Sequence, residues 1–263
     1  MRIRLDIAYD GTGLHGWAKQ PDRDTVQGHL ETALSKLYGR AIRTAGASRT
    51  DAGVHALQQV AHFETRDDDP PIPPQRLRAA VQPWLPPQIA VLATSVAPDG
   101  WHAIASVVGK RYRYLIHNTR TPQPALRDRC WRVQTPLDLE AMQRAATHLV
   151  GRHDFAAFES SGAPRDSTVR TVHELTVRQV PIWGPLQPPA VADFDPGRLI
   201  AIEIEGDGFL YNMVRAIAGT LVPIGAGKWM PDRLLAIRES VDRSQAGETA
   251  PAAGLTLVRI DYD

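Results

Sequence analysis

Apolar and polar residues alternate from Arg2 to Tyr9, so that Ile3, Leu5, Ile7 and Tyr9 share one side, the pattern of a strand buried on one face. The turn-forming run Tyr9-Asp10-Gly11-Thr12-Gly13 closes it. The spacing then becomes helical: Val26, Leu30, Ala33, Leu34 and Leu37 fall on one face, and Asp24 with Gln27 three residues on predicts an N-cap and capping box. Gln58 to Phe63 predicts a second strand. After the acidic triplet Asp67-Asp68-Asp69, the proline-rich stretch Pro70 to Pro74 predicts an exposed connector. A short helix over Arg76 to Val81 and a strand over 89 to 96 follow.

Lys110 to His117 predicts a strand with Tyr112, Tyr114 and Ile116 on one face and Arg111, Arg113 and Leu115 on the other. Leu139, Met142, Ala146 and Leu149 form a helical stripe that stops at Gly151. Strands are predicted over Val172 to Val180 and Leu199 to Glu205, and the Pro-rich segment Pro181 to Pro196 between them reads as an exposed insertion. Phe209, Met213, Val214, Ile217 and Leu221 predict a helix after Gly206-Asp207-Gly208; Pro231 opens another through Val241, and Leu255 to Tyr262 predicts a closing strand. One-faced strands interspersed with helices favour mixed or antiparallel sheets with helices on one side. The expected architecture is α+β, in two halves flanking a shared cleft, with residues 1–108 as the first half and 109–263 as the second. Gly11-Thr12-Gly13 lacks the third glycine and the acidic follow-up of a dinucleotide-binding turn.

Composition narrows the class. The 263 residues are 43% hydrophobic and 22% charged, as in an ordinary globular protein. The single cysteine, Cys130, excludes an intramolecular disulfide and a cysteine-rich zinc site. The N-terminus has no apolar signal core, and no apolar run approaches the ~20 residues needed to cross a bilayer, so a cytoplasmic protein without membrane contact is expected. Net charge is only +1, but Arg40, Arg43 and Arg49, and then Lys110, Arg111, Arg113, Arg120, Arg127, Arg129 and Arg132, are clustered along the chain. A basic face for nucleic acid and an ion-paired, solvated surface are both open readings of that distribution.

The stretch richest in candidate chemistry is Gly46-Ala47-Ser48-Arg49-Thr50-Asp51-Ala52-Gly53-Val54-His55-Ala56. One carboxylate and one guanidinium two residues apart can share one side of an extended segment. Gly46 and Gly53 permit a sharp turn or close approach of the backbone to a ligand. The loop thus displays Asp51 at a strand edge, where functional groups are often found. The ordinary alternative is an Asp-Ala-Gly turn in which Asp51 bonds its own backbone.

Arg49 to Ala56 resembles, over eight consecutive residues, the catalytic loop of the tRNA pseudouridine synthase A family. The resemblance extends nearly end to end. Tyr9-Asp10-Gly11 through Gly16-Trp17, Thr25-Val26-Gln27, Lys110-Arg111-Tyr112-Arg113-Tyr114, Gly151-Arg152-His153-Asp154-Phe155 with Phe158, Gly208 to Arg215, and Ala250 to Leu255 match further stretches of that family, in order.

The resemblance implies a pseudouridine synthase fold, two related α+β halves whose sheets join around a central RNA-binding cleft. It implies isomerisation of uridine to pseudouridine in the tRNA anticodon stem-loop, around positions 38 to 40, by a homodimer whose subunits both contact the tRNA, with no metal or organic cofactor. Asp51 corresponds to the catalytic aspartate, Arg215 to its ion-pair partner and Tyr112 to the active-site tyrosine. Leu255 corresponds to a residue packed against the uracil, and Arg49 is left to fill the space of the flipped base or hold phosphate. His55 is a candidate RNA contact and equally a hydrogen-bonded structural histidine; Trp17, His62 and His153 read as structural.

The reaction breaks the N1–C1′ bond, turns the uracil and rejoins it through C5. The base must first leave the helical stack, at a cost of a few kcal/mol. Attack on the sugar, attack on the ring and elimination through a glycal are all open to a carboxylate, and each needs Asp51 ionised. A neighbouring guanidinium would hold it so.

Three positions depart from the family pattern: Ser48 replaces a usual Gly, Ala18 a usual Gln, and Ile104 a usual Arg. The last two are the support for a rival reading, a non-catalytic RNA-binding or tRNA-folding protein that keeps the fold. A carboxylate-dependent hydrolase would need a second acid at glycosidase spacing, and none stands out.

Overall fold

The computed structural model of the chain describes residues 1–162, 166–182 and 196–263. Most of the Pro181 to Pro196 segment lies outside them. The chain forms two compact units, residues 1–110 with 256–263, and residues 111–255.

The first unit is a sheet in the order β4-β1-β3-β10, with a short β2 on β3. These are β1 (Arg2–Tyr9), β2 (Ala45–Gly46), β3 (His55–Glu64), β4 (Ile89–Val96) and β10 (Leu255–Tyr262). β1 runs antiparallel to both β3 and β4, whereas β10 pairs parallel to β3 through Thr256 with His55 and Leu257 with Ala56. The closing strand, expected in the second half, therefore packs in the first unit from Thr256 onward, while Leu255 belongs to the second. The alternation read in β1 holds: Ile3, Leu5, Ile7 and Tyr9 are buried, and Ile3 and Leu5 stand opposite Phe63 and Ala61.

Helix α1 (Val26–Tyr38) contributes Val26, Leu30, Ala33 and Leu34 to this core. Its N-cap is Thr25 rather than Asp24. Thr25 is extended, and its Oγ1 accepts the Gly28 N–H at 3.2 Å. Asp24 lies one residue too early to reach the orphan donors of the first turn. Gln27 is not a capping-box partner either: its amide accepts from Lys19 N–H and donates to Thr44 O. Helix α2 (Pro74–Val81) starts with proline, whose missing N–H costs nothing in a first turn, and it packs on β4.

The second unit has the strand order β5-β9-β8-β7, with β6 on β5. β5 (Val107–Asn118), β6 (Trp131–Val133), β7 (Gly151–Asp154), β8 (Val169–Val180) and β9 (Arg198–Gly206) make a mixed sheet, since β6 runs parallel to β5 while β7, β8 and β9 are antiparallel. Helix α3 (Leu139–Ala146) packs on β8 and on α4 (Met213–Gly225), and α5 (Arg233–Ser240) on α3. Helix α4 begins four residues after Phe209, because Asn212 is left-handed at φ 62° and cannot belong to the helix it precedes. Cys130 is buried with Leu115, Leu126, Leu199 and Ala201; burial pushes its thiol up to about 11, the behaviour of a packing residue. The α+β class with mixed sheets is as expected. No helix among the described residues is long and apolar enough to cross a membrane.

Candidate active site

In the first unit, the segment Gly46 to Val54 is held at nearly every residue. Gly46 is glycine because Trp17 lies against it: a Cβ there would stand 2.3 Å from the indole ring. The close approach that Gly46 permits is to a buried tryptophan. Ala47 N–H donates to Val60 O at 2.8 Å. Ser48 donates to Gln59 Oε1 at 3.2 Å and accepts from Gln59 Nε2 at 2.6 Å. Lys110 Nζ donates to Ala47 O at 3.0 Å and lies 3.4 Å from Ser48 Oγ, a contact a glycine at position 48 could not make.

Beyond Arg49, the Thr50 hydroxyl shares a 2.7 Å hydrogen bond with the Tyr9 phenol, and Thr50 O accepts the Trp17 N–H at 3.0 Å. Val54 N–H donates to Asp51 O at 3.1 Å and closes a turn with Gly53 left-handed at φ 80°. The backbone of Asp51 thus forms a turn in this Asp-Ala-Gly stretch, and the residue is half-buried. Arg49 is exposed and has no hydrogen bond or ion pair among the described residues.

His55 is buried at the start of β3. Its Nδ1 lies 3.0 Å from Asp10 Oδ1 and 3.1 Å from Gly11 N, so the ring ties the turn after β1 to the end of the loop. Trp17 is buried and packs on Tyr9, and His153 bonds Val150 O and Arg238; these are structural positions.

In the second unit, Arg215 lies half-buried in the first turn of α4. Its Nε donates to Ala250 O and its Nη1 to Asn212 Oδ1, both at 2.7 Å. These two bonds, one to a backbone carbonyl and one to a side-chain amide, orient the guanidinium. Asn212 is itself fixed, by its left-handed backbone and by its Nδ2 donating to Ser160 Oγ at 3.0 Å. The segment that leads to Leu255 is anchored at Ala250 by Arg215 and at Pro251 by the Tyr114 hydroxyl, which donates to Pro251 O at 2.8 Å. Burial pushes the Tyr114 phenol far above its ordinary range, so it serves as a neutral donor. Tyr112 is buried with its ring edge-on to Phe209 at 5.2 Å. Phe209, read as part of a helix, instead braces this tyrosine.

Asp51, Arg49 and His55 thus belong to one fixed loop of the first unit, and Tyr112, Arg215 and Leu255 to the second. Tyr9, Gln59 and Lys110, which hold the loop, and Asn212, which orients Arg215, were not singled out by sequence reasoning. The one available signal was their place inside or beside the matched motifs.

Several of the clustered cations are committed to carboxylates. Arg40 forks onto Asp69 at 2.5 and 2.6 Å, and this hydrogen-bonded pair lowers the Asp69 carboxyl to about 2. Arg111 pairs with Glu205 and Glu174, and Arg113 and Arg178 with Glu203. Burial acts to raise the Glu203 carboxyl, but the two arginines outweigh it and hold it below the usual range. The ion-paired reading is right for these residues, while Arg43 and Arg49 are exposed without such partners among the described residues. Among those residues no three His, Cys, Asp or Glu side chains are grouped to hold a metal ion.

Residues 7–104 and 145–263 match a family described as tRNA pseudouridine synthase. A tRNA pseudouridine synthase A of Thermoanaerobacter sp. (strain X514) is 43% identical over 260 residues, covering 99% of both chains. One of Acetivibrio thermocellus is also 43% identical over 260 residues, and one of Pelobacter propionicus 41%, each over 99% of both chains. Among solved structures, a Cbf5-Nop10-Gar1 complex matches at a TM-score of 0.33 and 11% identity, over 97% of this chain and 58% of that one, a likeness too slight to bear on fold or function.

Proposed function

The chain belongs to the tRNA pseudouridine synthase family, and from that premise we propose that it isomerises uridine to pseudouridine in the anticodon stem-loop of tRNA, with Asp51 as the reacting carboxylate. The observation that carries the assignment of Asp51 is the loop itself. Residues on both sides of Arg49 and Asp51 are fixed by Gln59, Lys110, Tyr9 and Trp17, while Arg49 is left exposed without a partner among the described residues. A pre-organised carboxylate beside an uncommitted cation suits a substrate that brings a phosphate backbone and a base to be held out of its stack.

The roles follow the family resemblance. Ionised Asp51 acts on the sugar or the uracil; the N1–C1′ bond breaks, the ring turns, C5 bonds to C1′, and the C5 proton is lost to solvent as N1 gains one. Arg215, oriented by Ala250 and Asn212, is the cation that favours ionised Asp51. Tyr112 and Leu255 form the surface against which the uracil stacks and packs. Arg49 occupies the space of the flipped base or holds phosphate. His55 acts from beneath, through Asp10 and Gly11, rather than at the RNA. The enzyme works in the cytoplasm, as a homodimer whose subunits both contact the tRNA.

The test is to incubate the protein with unmodified tRNA and map pseudouridine by carbodiimide adducts and primer extension. Stops confined to the anticodon stem-loop support the reading. Tight tRNA binding without any adduct supports a non-catalytic RNA-binding protein instead.

A further inference from the structure

Gln59 is out of place by the pattern of its strand. It stands on β3 opposite Ile7, in the row of Ala61 and Phe63, and its residue exposure is 0%. An amide in an apolar row is costly unless it is hydrogen-bonded. Here it is, and its main partner is the candidate catalytic loop. Nε2 donates to Ser48 O and Oε1 accepts from Ser48 N–H, so one side chain meets both polar groups of one peptide residue. That is the pair of bonds one antiparallel strand offers another. The backbone of β3 already holds Ala47 through Val60 O, and the Gln59 side chain continues the pairing one residue further.

The same amide reaches the other side of Arg49. Nε2 lies 3.5 Å from the Tyr9 phenol, which in turn shares the 2.7 Å hydrogen bond with the Thr50 hydroxyl. Gln59 therefore touches Ser48 directly and Thr50 through Tyr9, the two residues flanking Arg49 and the last fixed points before Asp51. Its amide meets the polar demands of the loop, and an apolar side chain would suit its row better.

We propose that Gln59 is a positioning residue, whose side-chain amide acts as a strand partner for Ser48 and sets the direction in which Arg49 and Asp51 leave the sheet. The proposal rests on the reading of Asp51 as the reacting carboxylate. It predicts a loss in the chemical step without a matching loss in tRNA affinity, since small misplacements of reacting groups cost up to about 100-fold in rate.

The decisive variant is Gln59→Glu in the full chain, with single-turnover pseudouridine formation measured at enzyme in excess of tRNA, beside the tRNA Kd. Ionised, the new carboxylate faces the Ser48 carbonyl with no proton to donate; protonated, it restores the donor. The expected result is a rate about 10- to 100-fold below wild type at alkaline pH, with Kd within about threefold. The rate then recovers as pH falls through the raised range of a buried carboxyl, whereas the wild type gains nothing. A second variant, Gln59→Asn, withdraws the amide by one methylene and should lose rate without any recovery at low pH. If Gln59→Glu does not fold, Gln59→Asn decides. Variants as fast as wild type, or a rate loss that only mirrors lost tRNA binding, overturn the positioning role. A wild-type protein that makes no pseudouridine in any tRNA overturns the functional reading, and the proposal with it.

Discussion

Gly16 and Thr50 lie so close that no side chain fits between them: a Cβ on Gly16 would stand 2.5 Å from Thr50 O and 3.0 Å from the Asp51 carbonyl carbon. Gly16 is also left-handed, at φ 85°, where a side chain adds strain of its own. The next residue, Trp17, donates its N–H to the same Thr50 O. The loop after β1 is thus a seat for the loop that carries Asp51. Gly16→Ala is expected to destabilise the protein by about 1–3 kcal/mol in urea denaturation. Because the clash falls on the Thr50–Asp51 peptide, the variant should also lose turnover under conditions where it is fully folded. Full turnover in the folded variant would show that the seat is not needed for the chemistry.

His62 gives the first unit an acid limit. It is buried against His102 and Trp101, and its Nδ1 accepts the Ala103 N–H at 3.3 Å, which requires that nitrogen unprotonated. Burial, then the nearby His102 and Arg2, lower its pKa from 6.5 to about 4. The unfolded chain binds this proton more readily, so stability is full above about pH 6.5 and falls as pH drops toward 4. The loss is on the order of a few kcal/mol. His62→Gln should flatten the urea midpoint over that window; an unchanged acid slope would assign the sensitivity elsewhere.

Helix α5 ends on Val241, left-handed at φ 48° and half exposed. A β-branched residue is poorly suited to that conformation, which glycine adopts freely. Val241→Gly is expected to stabilise the protein by about 1 kcal/mol, read as a raised urea midpoint with unchanged tRNA modification.

Arg49 and Arg215 should fail differently. Arg215, held by Ala250 and Asn212, is assigned to the electrostatics of Asp51; Arg215→Ala should lower the single-turnover rate about 100- to 1,000-fold while base flipping persists. Arg49→Ala should mainly impair flipping, seen as a weaker rise in fluorescence of a base analogue beside the target uridine. Equal flipping signals in the two variants would count against this division.

What the sequence reveals and what it hides have physical causes. The buried row Ile3, Leu5, Ile7 and Tyr9 and the α1 stripe are legible because long periodic patterns dominate local choices. The cap of α1 misleads because Asp24 and Thr25 are both good caps, and only backbone geometry selects Thr25. The short strands β2, β6 and β7 escape because two to four residues show no period. Asp51, Arg49, Tyr112 and Arg215 are proposed for the site from contiguous motifs. Gln59 and Asn212 are not, because their roles depend on partners distant in sequence, Ser48 and Ser160. Arg111 and Arg113 look basic in sequence but are neutralised by glutamates more than 60 residues away.

The most direct measurement is tritium release from C5 of uridine-labelled tRNA, comparing wild type with Asp51→Asn. Isomerisation must free the C5 hydrogen, and the amide cannot serve as an ionised carboxylate. Release by wild type, with release abolished in an Asp51→Asn protein that folds and binds tRNA normally, is the predicted result. Substantial release by Asp51→Asn, or none by wild type from any tRNA it binds, would contradict it.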